Sequence, residues 1–315
     1  MRVGWRNAVP PASHEARAAT NSLIPVAKRC NCSRPCENLK ELPIGTCKLC
    51  RRDDLELRDS HFIPAAILRA LREDRLPNPN PVIVTSSLAL TSSRPITDHI
   101  LCEACEGAFS RGGEEWVANN IAQRDTFPLY DVLRPAQPLS EDDELVLYEG
   151  RAIDGLRRDQ LGYFGLSIFW RSAAHRWPMT LRKSRPPQIE LGPFEEAIRS
   201  FLVGATEFPQ DVALIVTLRP FDTQNLLATL PALARREGDY RLFKFLVPGI
   251  DYTLAIGHSL PDIVRQQCIV SSPLGLIAVS KDTSSYLGEH MRKALSTAHI
   301  ADKLRRFLGA PRPGK

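Results

Sequence analysis

Two cysteine pairs bracket a histidine: Cys47-Lys48-Leu49-Cys50, then Ser60-His61-Phe62-Ile63-Pro64, then Cys102-Glu103-Ala104-Cys105. A C-x2-C turn sets two sulfurs on one side of a metal, and two such turns supply the four thiolates that a tetrahedral Zn2+ prefers. The alternative for these four residues is a buried cluster without metal. A zinc ion closed by four thiolates has no open coordination position, so it holds a fold together and does no chemistry by itself. Chemistry then has to come from between the pairs. His61 is the first candidate, because imidazole titrates near neutral pH and serves as a general base or a metal ligand. The competing reading is a structural histidine that supports the zinc site.

The elements around these residues can be read from pattern. Residues 47–50 form a knuckle, and 53–57 a turn leading into a short strand that ends at His61. Pro64 opens an Ala- and Leu-rich helix over 65–71, as proline does in a first turn. Residues 76–81 are rich in breakers and read as a loop, 82–85 as a strand, and 86–94 as a further loop. After the second knuckle, 106–121 reads as a helix interrupted near Gly112 and Gly113. On it Glu106, Ser110 and Glu114 recur at intervals of four and share one face, where the carboxylates suit Mg2+ or Mn2+. The plainer reading of Glu103 and Glu106 is that they complement the positive end of the helix.

At 315 residues the chain has room for two domains. Residues 1–40 lack an apolar period and read as a mobile arm, 41–134 as the zinc-binding module, the Pro-rich acidic stretch 135–144 as a linker, and 145–315 as an α+β C-terminal domain. Cys30, Cys32 and Cys36 lie in the arm, either as part of a second metal site or as an unstructured leader. In the last part, 156–177 reads as a buried helix, 194–203 as a second helix and 212–218 as a strand. Residues 240–246 and 251–256 read as a hairpin turned at Pro248-Gly249, 268–271 and 275–279 as short strands, and 286–308 as a basic final helix. Trp170 and Arg171 read as core and a paired charge, His175 and Cys268 as ordinary packing residues, and His99 as a surface or capping histidine with a functional alternative.

A formal charge of +5 and a pI near 8.8 permit a nucleic-acid partner without requiring one. Only nine of the 41 basic residues are lysine. Arginine suits bidentate phosphate contacts, although the bias is equally a compositional habit of a genome. Paired C-x2-C spacing points to a reducing compartment, and no apolar run reaches the length of a membrane span, nor is there the apolar stretch of a signal peptide. These features predict a soluble, cytoplasmic protein.

The order Cys47-x2-Cys50, a strand ending in His61 with Pro64 following, and Leu101-Cys102-x2-Cys105 entering a helix resembles the zinc-containing branch of the HNH endonucleases. More narrowly, the segments SHFIP, LCEACEGAFS and LSIFWRSA are similar to those of a group of uncharacterised bacterial HNH-like proteins. The resemblance implies a small treble-clef or ββα-metal module, followed here by a larger mixed α/β domain, within an α+β chain. It implies His61 as the general base and one divalent ion that stabilises charge on the scissile phosphate. Where the family commonly has an acidic residue before the histidine, this chain has Ser60 preceded by Asp59. Where it has the middle asparagine, this chain has Asp98 and His99, and just after the second knuckle Glu106 replaces histidine.

The expectation is therefore an HNH-like, metal-dependent nuclease acting on nucleic acid, DNA above RNA, with His61, Asp98 and Glu106 at the catalytic site. Structural Zn2+ would sit on Cys47, Cys50, Cys102 and Cys105, with Mg2+ or Mn2+ as the catalytic ion. The rival expectation is a non-catalytic zinc-binding module for nucleic acid or protein, with a degenerate HNH site.

Overall fold

The knuckle residues are held by a three-stranded sheet whose middle strand ends at His61. A computed structural model describes residues 42–72, 82–84, 88–91, 95–123, 125–178, 188–220, 228–282 and 299–300. The N-terminal arm with Cys30, Cys32 and Cys36, the loop at 76–81 and most of the expected final helix lie outside the described residues. The first half runs β1 (Ile44–Gly45), β2 (Leu55–His61), α1 (Ala65–Ala70), β3 (Val82–Val84), β4 (Leu88–Thr91) and β5 (Thr97–Cys102). It continues through α2 (Glu103–Phe109), a wide, π-like turn kinked at Gly113 (Ser110–Glu114, the π-turn), α3 (Glu115–Asn120) and α4 (Pro128–Leu133). β2 lies between β1 and β5 and is antiparallel to both. Across β2 and β5, Asp59 faces His99, Ser60 faces Asp98 and His61 faces Thr97, after a register shift beyond Arg58.

The second half contains β6 (Ser140–Glu141), β7 (Leu145–Glu149), a 3-10 turn (Gly150–Ala152), α5 (Arg158–Ala174) and α6 (Phe194–Leu202). β8 (Val212–Leu218), β9 (Ala232–Glu237), β10 (Tyr240–Val247), β11 (Ile250–Ile256), α7 (Asp262–Gln266), β12 (Leu276–Ser280) and β13 (His299–Ile300) follow. Seven strands form one sheet in the order β6-β7-β12-β8-β11-β10-β9, antiparallel throughout except for β12 beside β8. A third sheet joins β3, β4 and β13. The fold is thus mixed α+β.

The 17-residue α5 is the structural centre. It is apolar around its circumference, and twelve of its residues are buried, as a helix covered on several sides requires. One side meets the seven-stranded sheet so closely that a Cβ at Gly165 would lie 2.7 Å from the Tyr252 ring. The opposite side meets the π-turn, where a Cβ on Gly113 would lie 2.3 Å from the Gln160 carbonyl oxygen. One apolar core therefore runs from Cys47 and Phe62 through Phe109 and Trp170 to Phe245 and Val279. The Phe62 and Trp177 rings stack 5.0 Å apart at the seam, and Lys48 Nζ donates to the Ala174 carbonyl at 2.8 Å. Pro43–Lys315 form a single compact unit.

Several segments differ from their sequence reading. Residues 135–144, expected as a linker, end in the β6–β7 hairpin, where Asp142 Oδ1 accepts the Glu144 and Leu145 N–H groups at 2.8 Å. Asp and Pro mark tight turns as readily as linkers. Within 86–94, expected as a loop, β4 pairs with β3. Residues 268–271 are a turn rather than a strand: the apolar run is there to be buried, and Cys268 Sγ accepts the Leu214 N–H at 3.4 Å. His299–Ile300, within the helix expected over 286–308, are instead paired in parallel with β4; the rest of that span lies outside the described residues. Among the described residues, no helix is long and apolar enough to cross a membrane.

Candidate metal centre

The knuckle at Cys47 closes through its own backbone. Cys47 N–H donates to the Arg52 carbonyl at 3.0 Å and Arg51 N–H to the Cys47 carbonyl at 2.8 Å. Lys48 N–H reaches the Ile100 carbonyl at 2.9 Å, which docks the knuckle on β5. The second pair sits at the junction of β5 and α2: Cys102 ends the strand and caps the helix, and Cys105 lies in its first turn. Exposed amide groups at such an end favour negative sulfur.

The ligand atoms of Cys47, Cys50, Cys102 and Cys105 all lie within 4.8 Å of one another, and Cys50 and Cys102 Sγ are 3.9 Å apart. Tetrahedral zinc with bonds of about 2.3 Å spaces its sulfurs by about 3.8 Å, so this donor set and its spacing fit a zinc ion. Cys102 N–H also donates to Cys47 Sγ at 3.3 Å, as backbone amides do to knuckle thiolates. Among the sulfurs themselves, a hydrogen bond from Cys105 pulls the Cys47 thiol down to about 4. Sharing with Cys47 and burial push Cys105 up, and burial raises Cys102. A metal replaces these shared protons with four equivalent bonds. Among the described residues, this is the one group of three or more His, Cys, Asp or Glu that converges at ligand distance.

His61, Asp98 and Glu106 are divided between two neighbourhoods. His61 is half-buried at the end of β2, next to the fully buried Ser60. Glu106 projects from α2 toward this strand end. Burial pushes its carboxyl up, the Ser60 hydroxyl and the Arg171 charge pull it down, the Glu114 carboxylate adds to the rise, and His61 counters it. Burial prevails. Glu106 Oε1 is buried with no hydrogen-bond partner.

Asp98 turns away to the end of α5, where its Oδ2 lies 2.7 Å from His175 Nε2, and its Oδ1 accepts the His99 N–H at 2.8 Å. Burial works against the charged form, but the bonds from the His175 ring and the His99 N–H outweigh it and hold Asp98 below the usual carboxylate range. The His175 ring meets Trp177 edge-on at 5.2 Å, so this pair belongs to the seam between the two halves. His99 and Asp59, which face each other across β5 and β2, are exposed.

Sequence reasoning missed the role of His175, which lies 77 residues from Asp98 with no motif around it. Arg171 fits its reading as a buried paired charge: 1 % exposed, it pairs with Glu114. No protein-family model, curated protein or solved structure matches the chain.

Proposed function

We infer that this chain is an HNH-like nuclease that hydrolyses phosphodiester bonds in nucleic acid, DNA above RNA, with a treble-clef module held by a structural zinc on the four cysteines. The observation that carries this reading is that His61, at the end of β2, lies within electrostatic reach of the Glu106 carboxylate on the helix that starts from the second cysteine pair, with Ser60, the residue before His61, bonded to that carboxylate. The histidine and carboxylate required for water activation thus come from two elements fixed by one metal site. In this reading His61 takes the proton from the attacking water. Ser60 faces the Glu106 carboxylate and helps to orient it. Glu106, with Oε1 lacking a protein partner, is the residue that would hold Mg2+ or Mn2+, ions that bind through one or two carboxylates and keep several waters. When bound, such an ion stabilises negative charge on the phosphate and the leaving oxygen.

The test is cleavage of supercoiled plasmid DNA by the full chain with Mn2+ or Mg2+. His61→Ala should abolish cleavage while zinc content and thermal stability stay near those of the parent, because His61 is not a zinc ligand. Equal cleavage by His61→Ala, or none by the parent, would overturn the nuclease reading. The Asp98–His175 pair favours a second reading. An expected metal ligand engaged elsewhere suits a non-catalytic zinc module, in which DNA or protein binding survives His61→Ala and no cleavage occurs.

A further inference from the structure

Arg171 is an expensive residue to place where α5 places it. Its side chain is 1 % exposed, Nη2 pairs with Glu114 Oε1, and Cζ lies 4.4 Å from the centre of the Phe109 ring. Nε and Nη1 have no hydrogen-bond partner. Well-packed apolar residues commonly replace a buried ion pair at no loss of stability, so packing alone does not call for arginine here.

The contacts of this side chain suggest its purpose. Phe109 follows Glu106 by one helical turn, and Glu114 closes the π-turn that follows α2. A single guanidinium therefore grips both ends of the segment that emerges from the Glu106 turn. The approach of α5 is close because Gly112 and Gly113 have no side chains: a Cβ at Gly112 would lie 2.5 Å from the Tyr163 ring, and Gly113 packs on the α5 backbone. The charge of Arg171 also reaches Glu106, whose Oε1 is a further buried polar atom without a partner.

We propose that Arg171 is a positioning residue of the His61 centre: by holding Phe109 and Glu114 it sets the height and direction of Glu106 opposite Ser60 and His61. The centre is then complete only with a residue from the second half of the chain. Its catalytic meaning rests on the nuclease reading above, while the positioning itself can be observed without activity.

The experiment uses the full chain as Arg171→Met, Arg171→Lys and the near-isosteric Glu114→Gln. It measures zinc content, melting, the kcat and KM of Mn2+-dependent plasmid cleavage, and the His61 ring resonances assigned through His61→Gln. Misplacement of a reacting group by about 1 Å costs on the order of 10²-fold in rate. Arg171→Met and Glu114→Gln should therefore lower kcat by about 10²-fold with KM within about threefold. Both should displace the His61 ring signals with zinc retained, and Arg171→Lys should fall between them and the parent. Unchanged ring signals and kcat in folded, zinc-loaded Glu114→Gln would overturn the proposal. If Arg171→Met does not fold, Glu114→Gln decides by the same two readouts. If the parent does not cleave, the nuclease reading falls. A displaced His61 signal in Glu114→Gln then still upholds the positioning role, and an undisplaced one overturns it.

Discussion

Replacing Cys105 by serine, or stripping the cysteine cluster with a strong chelator, is expected to unfold β1, β2, β5 and α2 and to loosen the near end of α5. The two cysteine pairs are separated by 51 residues, 51–101. Closing a loop of that length costs about 3.5 kcal/mol by the logarithmic rule. Zinc binding to four-ligand peptide sites is worth about 10–16 kcal/mol at neutral pH, so the metal far outweighs the loop. The same figure matches or exceeds the whole stability of a typical domain, about 5–15 kcal/mol, and the module therefore has little to stand on without it. The damage should not stop at the module, because Phe62 stacks on Trp177 and Lys48 holds the last carbonyl of α5. Hydrogen exchange followed by mass spectrometry, on parent, chelated and Cys105→Ser protein, reads this directly. Protection should vanish in 44–61 and 97–109, fall in 171–177, and persist in β8, β10 and β11. Parent protein without stoichiometric zinc, or Cys105→Ser with undiminished protection in β2 and β5, would refute the reasoning.

Three further outcomes are expected. Phe62→Ala removes a fully buried ring from the seam and should destabilise the fold by about 3–5 kcal/mol in urea or guanidinium titration, with Phe62→Leu markedly milder. Gly113→Ala drives a Cβ into the Gln160 carbonyl and should cost far more stability than Gly204→Ala, where the space is open and only the φ of +74° is penalised, at about 1–2 kcal/mol. The Asp98 carboxyl titrates below its usual range in the fold, so the unfolded chain binds its proton first as pH falls. Its stabilising effect is present above the unfolded value of about 3.9 and is lost as pH drops through the lower folded value. Asp98→Asn should therefore lower the melting temperature at pH 7, and the gap to the parent should narrow toward pH 3 in differential scanning calorimetry.

What the sequence makes legible is what neighbouring residues decide among themselves. The β-branched run at 212–218 and the Pro248-Gly249 turn are strand and hairpin wherever they are placed, and the structure has both. The break in the helix near Gly112 and Gly113 is likewise local: the structure has a kink at Gly113, where α5 approaches closely. The failures share a cause. Cys268-Ile269-Val270 carries the composition of a strand, but what buries it is the packing of Cys268 near β8, and a turn buries apolar residues as well as a strand does. β9 is the reverse case: its six residues, Ala232–Glu237, are nearly all exposed and show no alternation, and pairing with β10 alone makes them a strand.

The site divides along the same line. Four thiols at C-x2-C spacing are legible because a metal would need them together however long the insertion between pairs, and the structure does bring them together. His61 was legible as a candidate because it lies between the two cysteine pairs, and Glu106 because it follows the second directly. Their surroundings were not, since Arg171 is 57 residues from Glu114 and His175 is 77 from Asp98. Both distant partners lie on α5 or at its end, and this follows from its place in the fold. A helix apolar on every side is covered on every side, so the partners its polar residues do find lie in whatever covers it. For Arg171 that cover is Phe109 at the end of α2 and Glu114 in the turn after it, and for His175 it is the strand bearing Asp98. A polar residue inside an otherwise apolar helix thus points to the surface against which the helix is packed, and for Arg171 that surface is the segment following the Glu106 turn.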